Sequence, residues 1–183
     1  MNTPTNNTLV VFGSPHRNGC TKKLLDGFFE KTGITEYTLF DCYERMPAPC
    51  RDCGHCKEHF SCIHRDLDDF YKSLENCSRI IIASPVYNSG FPAPLKAVID
   101  RLQVYFNARF SRGIKPPIKT PKKATVLVCS GAYKDYRESI SAGLLPAFTV
   151  INASLCEFIQ VTGTDSGEAS GKIKEALAKT FNI

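Results

Sequence analysis

Four of the chain's nine cysteines fall within thirteen residues, as Cys50, Cys53, Cys56 and Cys62, spaced C-x2-C-x2-C-x5-C. Thiolates crowded in this way can ligate a metal, carry redox chemistry or stand idle. The tight triple Cys50, Cys53, Cys56 suits one face of a cubane iron–sulfur cluster. In two-cluster runs the fourth cysteine serves the other cluster. This chain has no second run, so Cys62 would close the same [4Fe–4S] site. Zinc is the second reading, because His55, His59 and His64 stand beside the thiols, although zinc sites more often use two separated pairs. The third is a cysteine-rich loop without metal, with or without one redox-active thiol. No helical or strand periodicity runs through residues 47–64, so a loop is expected there.

Two further stretches carry polar groups suited to a ligand. Gly13-Ser14-Pro15-His16-Arg17-Asn18-Gly19-Cys20-Thr21 joins an apolar run to a helical one. Free N–H groups and the positive dipole end at a helix start favour a phosphate. Ser14 and Thr21 hydroxyls and the Arg17 guanidinium can add to it. The loop is neither G-x-G-x-x-G nor a Walker A sequence, which argues against dinucleotides and nucleoside triphosphates. The plain alternative is a strand-to-helix turn capped by Ser or Thr. The second stretch is Ser84-Pro85-Val86-Tyr87-Asn88-Ser89-Gly90-Phe91-Pro92. Tyr87 can lie beside a flat ring, and Asn88 and the N–H groups near Ser89 and Gly90 can bond its edge. Tyr87 as a core aromatic in an ordinary loop is the alternative. A ring held at a mouth that also grips phosphate points to FMN rather than a sugar phosphate. Asp100 and Arg101 read as a solvated pair on an exposed helix face, with an intrahelical or interface role as the alternative and no catalytic role. Cys20, Cys42, Cys77, Cys129 and Cys156 are scattered and read as core or surface filler.

The elements that must position these loops alternate. Thr8 to Phe12 is an apolar run suited to a strand buried on both faces. A helix follows over Gly19 to Lys31, then a strand over Glu36 to Phe40 and the cysteine loop. Asp66 reads as an N-cap ahead of a helical face of Leu67, Phe70, Tyr71 and Leu74. Arg79 to Ser84 is the third strand. One long helix is expected from Pro92 or Pro94 through Leu95, Val98, Ile99, Leu102 and Phe106. Residues 110–122 form a Pro- and Lys-rich loop. Ala124 to Ser130 is the fourth strand, Tyr136 to Ala153 a helix that Gly143 or Pro146 can kink, Leu155 to Thr162 the fifth strand, and Ala169 to Phe181 the last helix. This alternation predicts an α/β fold, a doubly wound, five-stranded parallel sheet in the flavodoxin-like order 2-1-3-4-5. Ligands in such sheets bind beyond the carboxyl ends of strands, here the loops after strands one, three and four.

At 183 residues one domain spanning 1–183 is expected, with the cysteine-rich segment at about 45–64 as an insertion. Hydrophobic content of 43% and charged content of 22% are those of an ordinary globular protein. No apolar run is long enough to span a bilayer. Met1 to Asn7 lacks signal-peptide features, so a reducing cytoplasm is the expected location for the nine cysteines. The formal charge of +5 is scattered, apart from Lys115 to Lys123, which reads as a solvated loop, so no nucleic-acid partner is expected.

The two loops together resemble a known family. Gly13-Ser14-Pro15 with Gly19-Cys20-Thr21 is similar to the phosphate loop of NADPH-dependent FMN reductases. Ser84-Pro85-Val86-Tyr87 followed by Leu95-Lys96-Ala97-Val98-Ile99-Asp100-Arg101 is similar to that family's flavin loop and helix. With the cysteine run between them, residues 8–130 resemble the iron–sulfur flavoprotein branch of these flavodoxin-like proteins. The resemblance implies FMN phosphate on Ser14, Arg17, Asn18, Gly19, Cys20 and Thr21, and its ring against Pro85, Val86, Tyr87, Asn88 and Gly90. Ser130, Gly131 and Ala132 would supply a third contact. It further implies cluster ligation by Cys50, Cys53, Cys56 and Cys62, and a homodimer or homotetramer. The activity expected is flavin-dependent oxidoreduction with no catalytic side chain assigned. Ferredoxin, NAD(P)H or a quinone are the partners to expect. A metal-free NAD(P)H-dependent FMN or quinone reductase and a zinc-stabilised, non-enzymatic binding module are the alternatives.

Overall fold

Strand residues alternate between two cores, and this fixes the architecture. In the first strand Leu9 and Val11 pack on one face of the sheet, while Val10 and Phe12 pack on the other. A strand buried on both faces belongs inside a parallel sheet covered by helices on each side. The computed structural model, which describes residues 7–182, has that form. The expectations made for Met1 to Asn6 lie outside the described residues.

The strands are β1 (Thr8–Phe12), β2 (Thr38–Asp41), β3 (Arg79–Pro85), β4 (Lys122–Cys129) and β5 (Ala153–Val161), in the order β2-β1-β3-β4-β5. Every pairing is parallel. The expected fold class and strand order are therefore observed. Helices α1 (Cys20–Thr32) and α8 (Ala169–Phe181) cover one face. The other face carries α4 (Asp68–Asn76), α5 (Ala93–Asp100), α6 (Gln103–Phe110) and α7 (Arg137–Val150). Two four-residue helices, α2 (Cys42–Arg45) and α3 (His55–Glu58), interrupt the region between β2 and α4. The α3 turn lies within the cysteine run, where an irregular loop was expected. Pro146 sits inside α7, which nevertheless continues to Val150.

Four details depart from the sequence reading. The helix expected from Pro92 to Phe106 is two helices. Arg101 and Leu102 adopt ψ of −2° and −1°, and the backbone passes through three-residue turns such as Leu102 N–H to Ile99 O at 3.1 Å. Arg101 is not solvated. It is 1% exposed, among the largest fully buried side chains. Asp66 does not cap α4, which begins at Asp68 behind Leu67; its carboxylate is engaged elsewhere. Lys122, expected in a solvated loop, is buried at the start of β4 and donates to Thr120 O at 2.8 Å.

Candidate functional site

All five strands run the same way, so the loops after β1, β3 and β4 emerge along one rim of the sheet. The β1 loop is short and closely seated. Gly13 N–H bonds Ala83 O at 2.8 Å, and a Cβ at Gly13 would lie 2.7 Å from Leu95 Cδ2. Only glycine lets this turn settle onto α5. Ser14 and Thr21 are both buried. Ser14 Oγ accepts from His16 N–H at 3.2 Å. The α1 N-terminus at Gly19 has no side-chain cap, and its first turn has no acidic residue. The first N–H groups of a 13-residue helix are thus left for an external acceptor. Arg17 is turned outward, onto Asp41 at 3.4 Å and Glu44 at 3.1 Å.

The β3 loop is a tight reversal. Tyr87 N–H and Gly90 N–H exchange bonds with each other's carbonyls at 3.0 and 2.9 Å. Asn88 and Ser89 between them have φ of 50° and 62°, the positive pair that a type I′ turn requires. Val86 N–H is held by Cys129 O at 2.8 Å. Tyr87, 42% exposed, is not a core aromatic. The β4 loop is tied to the segment after β5: Thr164 N–H bonds Ser130 O at 3.0 Å and Gly163 N–H bonds Ala132 O at 3.2 Å. The Asp165 carboxylate lies where a side chain on Gly131 would stand.

A cleft of about 720 Å³ opens beside the β3 loop. Tyr87, Asn88 and Gly90 line it together with Tyr43, Lys96, Ile99, Ser139 and Gly143. It does not include Ser14, Asn18, Thr21 or Ser130 to Ala132. The predicted ring contacts thus divide between this cleft and the rim next to it. Tyr43, at the start of α2, carried no motif signal.

The cysteine loop lines a separate pocket, which shares no residue with this cleft. Asp52 and Gly54, with φ of 47° and 78°, reverse the chain between the cysteines. Cys50, Cys53, Cys56 and Cys62 line one small pocket of about 20 Å³, along with Gln103, Val104 and the buried Arg101. Cys50 and Cys53 are exposed, whereas Cys56 and Cys62 are half-buried. No group of three or more His, Cys, Asp or Glu side chains among the described residues is arranged to hold a single metal ion.

Arg101 closes the neck of this loop. Its Nη1 donates to Asp66 Oδ1 at 2.5 Å and to Ala48 O at 3.3 Å, and its Nη2 donates to His64 O at 2.8 Å. Ala48 N–H in turn bonds Asp66 Oδ2 at 2.9 Å. Both ends of the loop therefore meet one guanidinium–carboxylate pair. Burial alone would raise the Asp66 carboxyl, but the bonds from Ala48 N–H and Arg101 outweigh it and hold it below its ordinary value. Arg101 Nε is buried with no acceptor among the described residues, and Arg101 lines the pocket that the four thiols share. A buried cation with a spare donor is suited to negative sulfur. Helix α6 supplies the remaining support. Asn107 Nδ2 donates to Cys56 Sγ at 3.1 Å, and Tyr105 meets the Phe60 ring edge-on.

The buried Cys42, Cys77 and Cys129 behave as expected of filler. Burial pushes Cys42 and Cys129 up to about 12 and Cys77 up to about 11, which keeps them as inert thiols. All nine are free of disulfides.

Comparison with known proteins gives these loops a context. Residues 7–155 match the family described as NADPH-dependent FMN reductase. The chain belongs to the NADPH-dependent FMN reductase family. Among curated relatives, an iron-sulfur flavoprotein of Methanosarcina thermophila is 35% identical over 50% of this chain and 49% of its own. An iron-sulfur flavoprotein of Archaeoglobus fulgidus is 32% identical over 55% of this chain and 52% of its own. The matched stretch spans about half the length of these relatives. Among solved structures, NAD(P)H:quinone oxidoreductase from Methanothermobacter marburgensis superposes with a TM-score of 0.73 at 18% identity, covering 96% of this chain and 94% of that one. That likeness is one of fold. No helix among the described residues is long and apolar enough to cross a membrane.

Sequence reasoning missed Arg101, Asp66 and Asn107. Arg101 did leave a signal: it stands three residues after Val98 and four before Tyr105, on the apolar stripe of its own helical register. A charge at such a position needs a buried partner.

Proposed function

We propose that this chain is an FMN-dependent redox protein that passes electrons between a two-electron donor and one-electron carriers. FMN phosphate would be held by Ser14, Asn18, Gly19, Cys20 and Thr21, with Arg17 released from Asp41 and Glu44. Pro85, Val86, Tyr87, Asn88 and Gly90 would take the ring, and Ser130, Gly131 and Ala132 its third side. Cys50, Cys53, Cys56 and Cys62 would hold a [4Fe–4S] cluster. When bound, FMN supplies exchange between hydride and single electrons, and the cluster takes one electron at a time. The protein's own part is to anchor the phosphate on uncapped N–H groups, orient the ring with the rigid β3 turn, and shield the sulfurs. NAD(P)H is the electron donor proposed from the family; ferredoxin or a quinone are the acceptors.

The observation that carries the reading is an uncapped helix start flanked by buried Ser14 and Thr21, in a family that uses FMN. Convergence of four thiols on one wall with an unpartnered buried guanidinium nitrogen supports the cluster. The overlapping C-x2-C-x2-C spacing favours a cluster over zinc, which more often uses two separated pairs. The pocket itself is small, about 20 Å³, so the exposed arms bearing Cys50 and Cys53 would have to open to admit a cluster.

Anaerobic purification followed by assays of FMN, iron and acid-labile sulfide tests both halves. One FMN with about four irons and matching sulfide is the expected result. FMN without iron or sulfide leaves the metal-free NAD(P)H-dependent FMN or quinone reductase, a reading favoured by the exposure of Cys50 and Cys53. A folded protein that takes up no FMN would refute the whole proposal. Membership of an oxidoreductase family weighs against the zinc-stabilised binding module.

A further inference from the structure

Asn107 has no place in the phosphate loop, the flavin loop or the cysteine motif. It lies in the middle of α6, 51 residues from Cys56 in sequence, and is 7% exposed. Its side-chain partners among the described residues are two. Ser111 Oγ donates to Asn107 Oδ1 at 3.1 Å, which anchors the amide with its nitrogen on the Cys56 side. Asn107 Nδ2 then points its N–H at Cys56 Sγ, at 3.1 Å.

A buried amide costs stability unless its donors are satisfied. A neutral thiol is a weak acceptor for such a donor, whereas a thiolate is a strong one. An oriented, buried N–H placed on sulfur therefore gains its full value only when that sulfur carries charge, as a metal ligand does. Hydrogen bonds to cluster sulfurs are among the features that set reduction potential. Such a bond favours the reduced state, which holds one more negative charge.

We infer that Asn107 is a positioning and tuning residue for the cysteine site, whose N–H on Cys56 makes the bound group easier to reduce. The inference rests on the cluster reading above. Ser111 acts through Asn107 by holding its amide in the donating orientation.

The test compares wild type, Asn107→Leu and Ser111→Ala, each reconstituted anaerobically with ferrous iron and sulfide. Iron and sulfide are counted first. The midpoint potential is then read by dye-mediated titration with dithionite, following the cluster's visible absorbance. Asn107→Leu should keep its iron and take up an electron about tenfold less favourably, a fall of about 59 mV for a one-electron couple. Ser111→Ala, at an exposed site, should shift the potential the same way by less. Equal potentials in all three proteins, with iron retained, would overturn the role of Asn107 and leave the cluster standing. If Asn107→Leu loses its iron, Ser111→Ala decides: an unchanged potential overturns the inference and a lowered one upholds it. A wild type that binds no iron overturns the cluster reading, and this inference with it.

Discussion

The rim and the cysteine loop are held in place by different kinds of force. The rim loops are continuations of buried strands. Gly13, Val86 and Ser130 each donate a backbone bond to a neighbouring strand, to Ala83, Cys129 and Val161. Sheet register places them, and side chains add little. The cysteine loop has no strand to lean on. Its neck is closed by Arg101 from between α5 and α6, and its interior meets Asn107 and Tyr105. A site made from backbone register is rigid before any ligand arrives. A site made from a few long-range side-chain bonds is as strong as those bonds, and substitutions there should separate the two regions.

The largest separation is expected from Asp66→Ala. It leaves the Arg101 guanidinium buried without its anion. Unpairing a buried ion costs about 3–5 kcal/mol, and about 3 is expected because Asp66 is partly exposed and water can enter. Urea unfolding would read the loss, and iron retention should fall with it while FMN binding persists. Gly13→Ala should do the reverse. Its Cβ would stand 2.7 Å from Leu95 Cδ2 and 3.1 Å from Ser84 Oγ, atoms on rigid elements. Overpacking of this kind costs about 1–3 kcal/mol. FMN titration should weaken, with iron content unchanged. Ser89→Val is milder. A β-branched residue at φ of 62° strains the turn by about 1–2 kcal/mol, which should lower FMN affinity about tenfold. Equal loss of FMN and iron in any one of these variants would mean that the two regions are coupled.

The same contrast governs how much the sequence discloses. Strand order and the rim loops are legible because the central runs β1, β3 and β4 are largely apolar, short and followed by turn residues, so local pattern and sheet topology agree. The cysteines are legible as a motif. Their setting is not. The spacing of Leu95, Val98, Ile99, Leu102 and Phe106 continues unbroken across residues 101 and 102, so nothing local marks the change of direction there. Asp100-Arg101 looks like a surface pair because the true partner, Asp66, is 35 residues away. Asp66 before Leu67 looks like a cap for the same reason. Asn107 carries no motif, since its role depends on a sulfur that only folding brings to it.

The smallest effect separates the regions by acidity. The folded-state pKa of Asp66 is depressed, so its bonds stabilise the neck fully above the unfolded carboxyl value of about 3.9. That stabilisation is lost as pH falls through the lower, folded value. Arg101 stays charged throughout, and Tyr71, whose phenol burial holds above its usual range, stays neutral. Between pH 5 and pH 3 the neck at Ala48 and His64 should therefore loosen while the sheet remains folded. Hydrogen exchange at Ala48 N–H, compared with that at Gly13 N–H on the rim, would show it. Gly13 bonds a strand carbonyl and has no carboxylate to lose, so after correction for intrinsic exchange its protection should be flat. In Asp66→Asn the Ala48 protection should be weaker at pH 5 and should no longer change with acid. A wild-type Ala48 whose protection matches Gly13 across that range would mean that the neck is held by packing rather than by its ion pair.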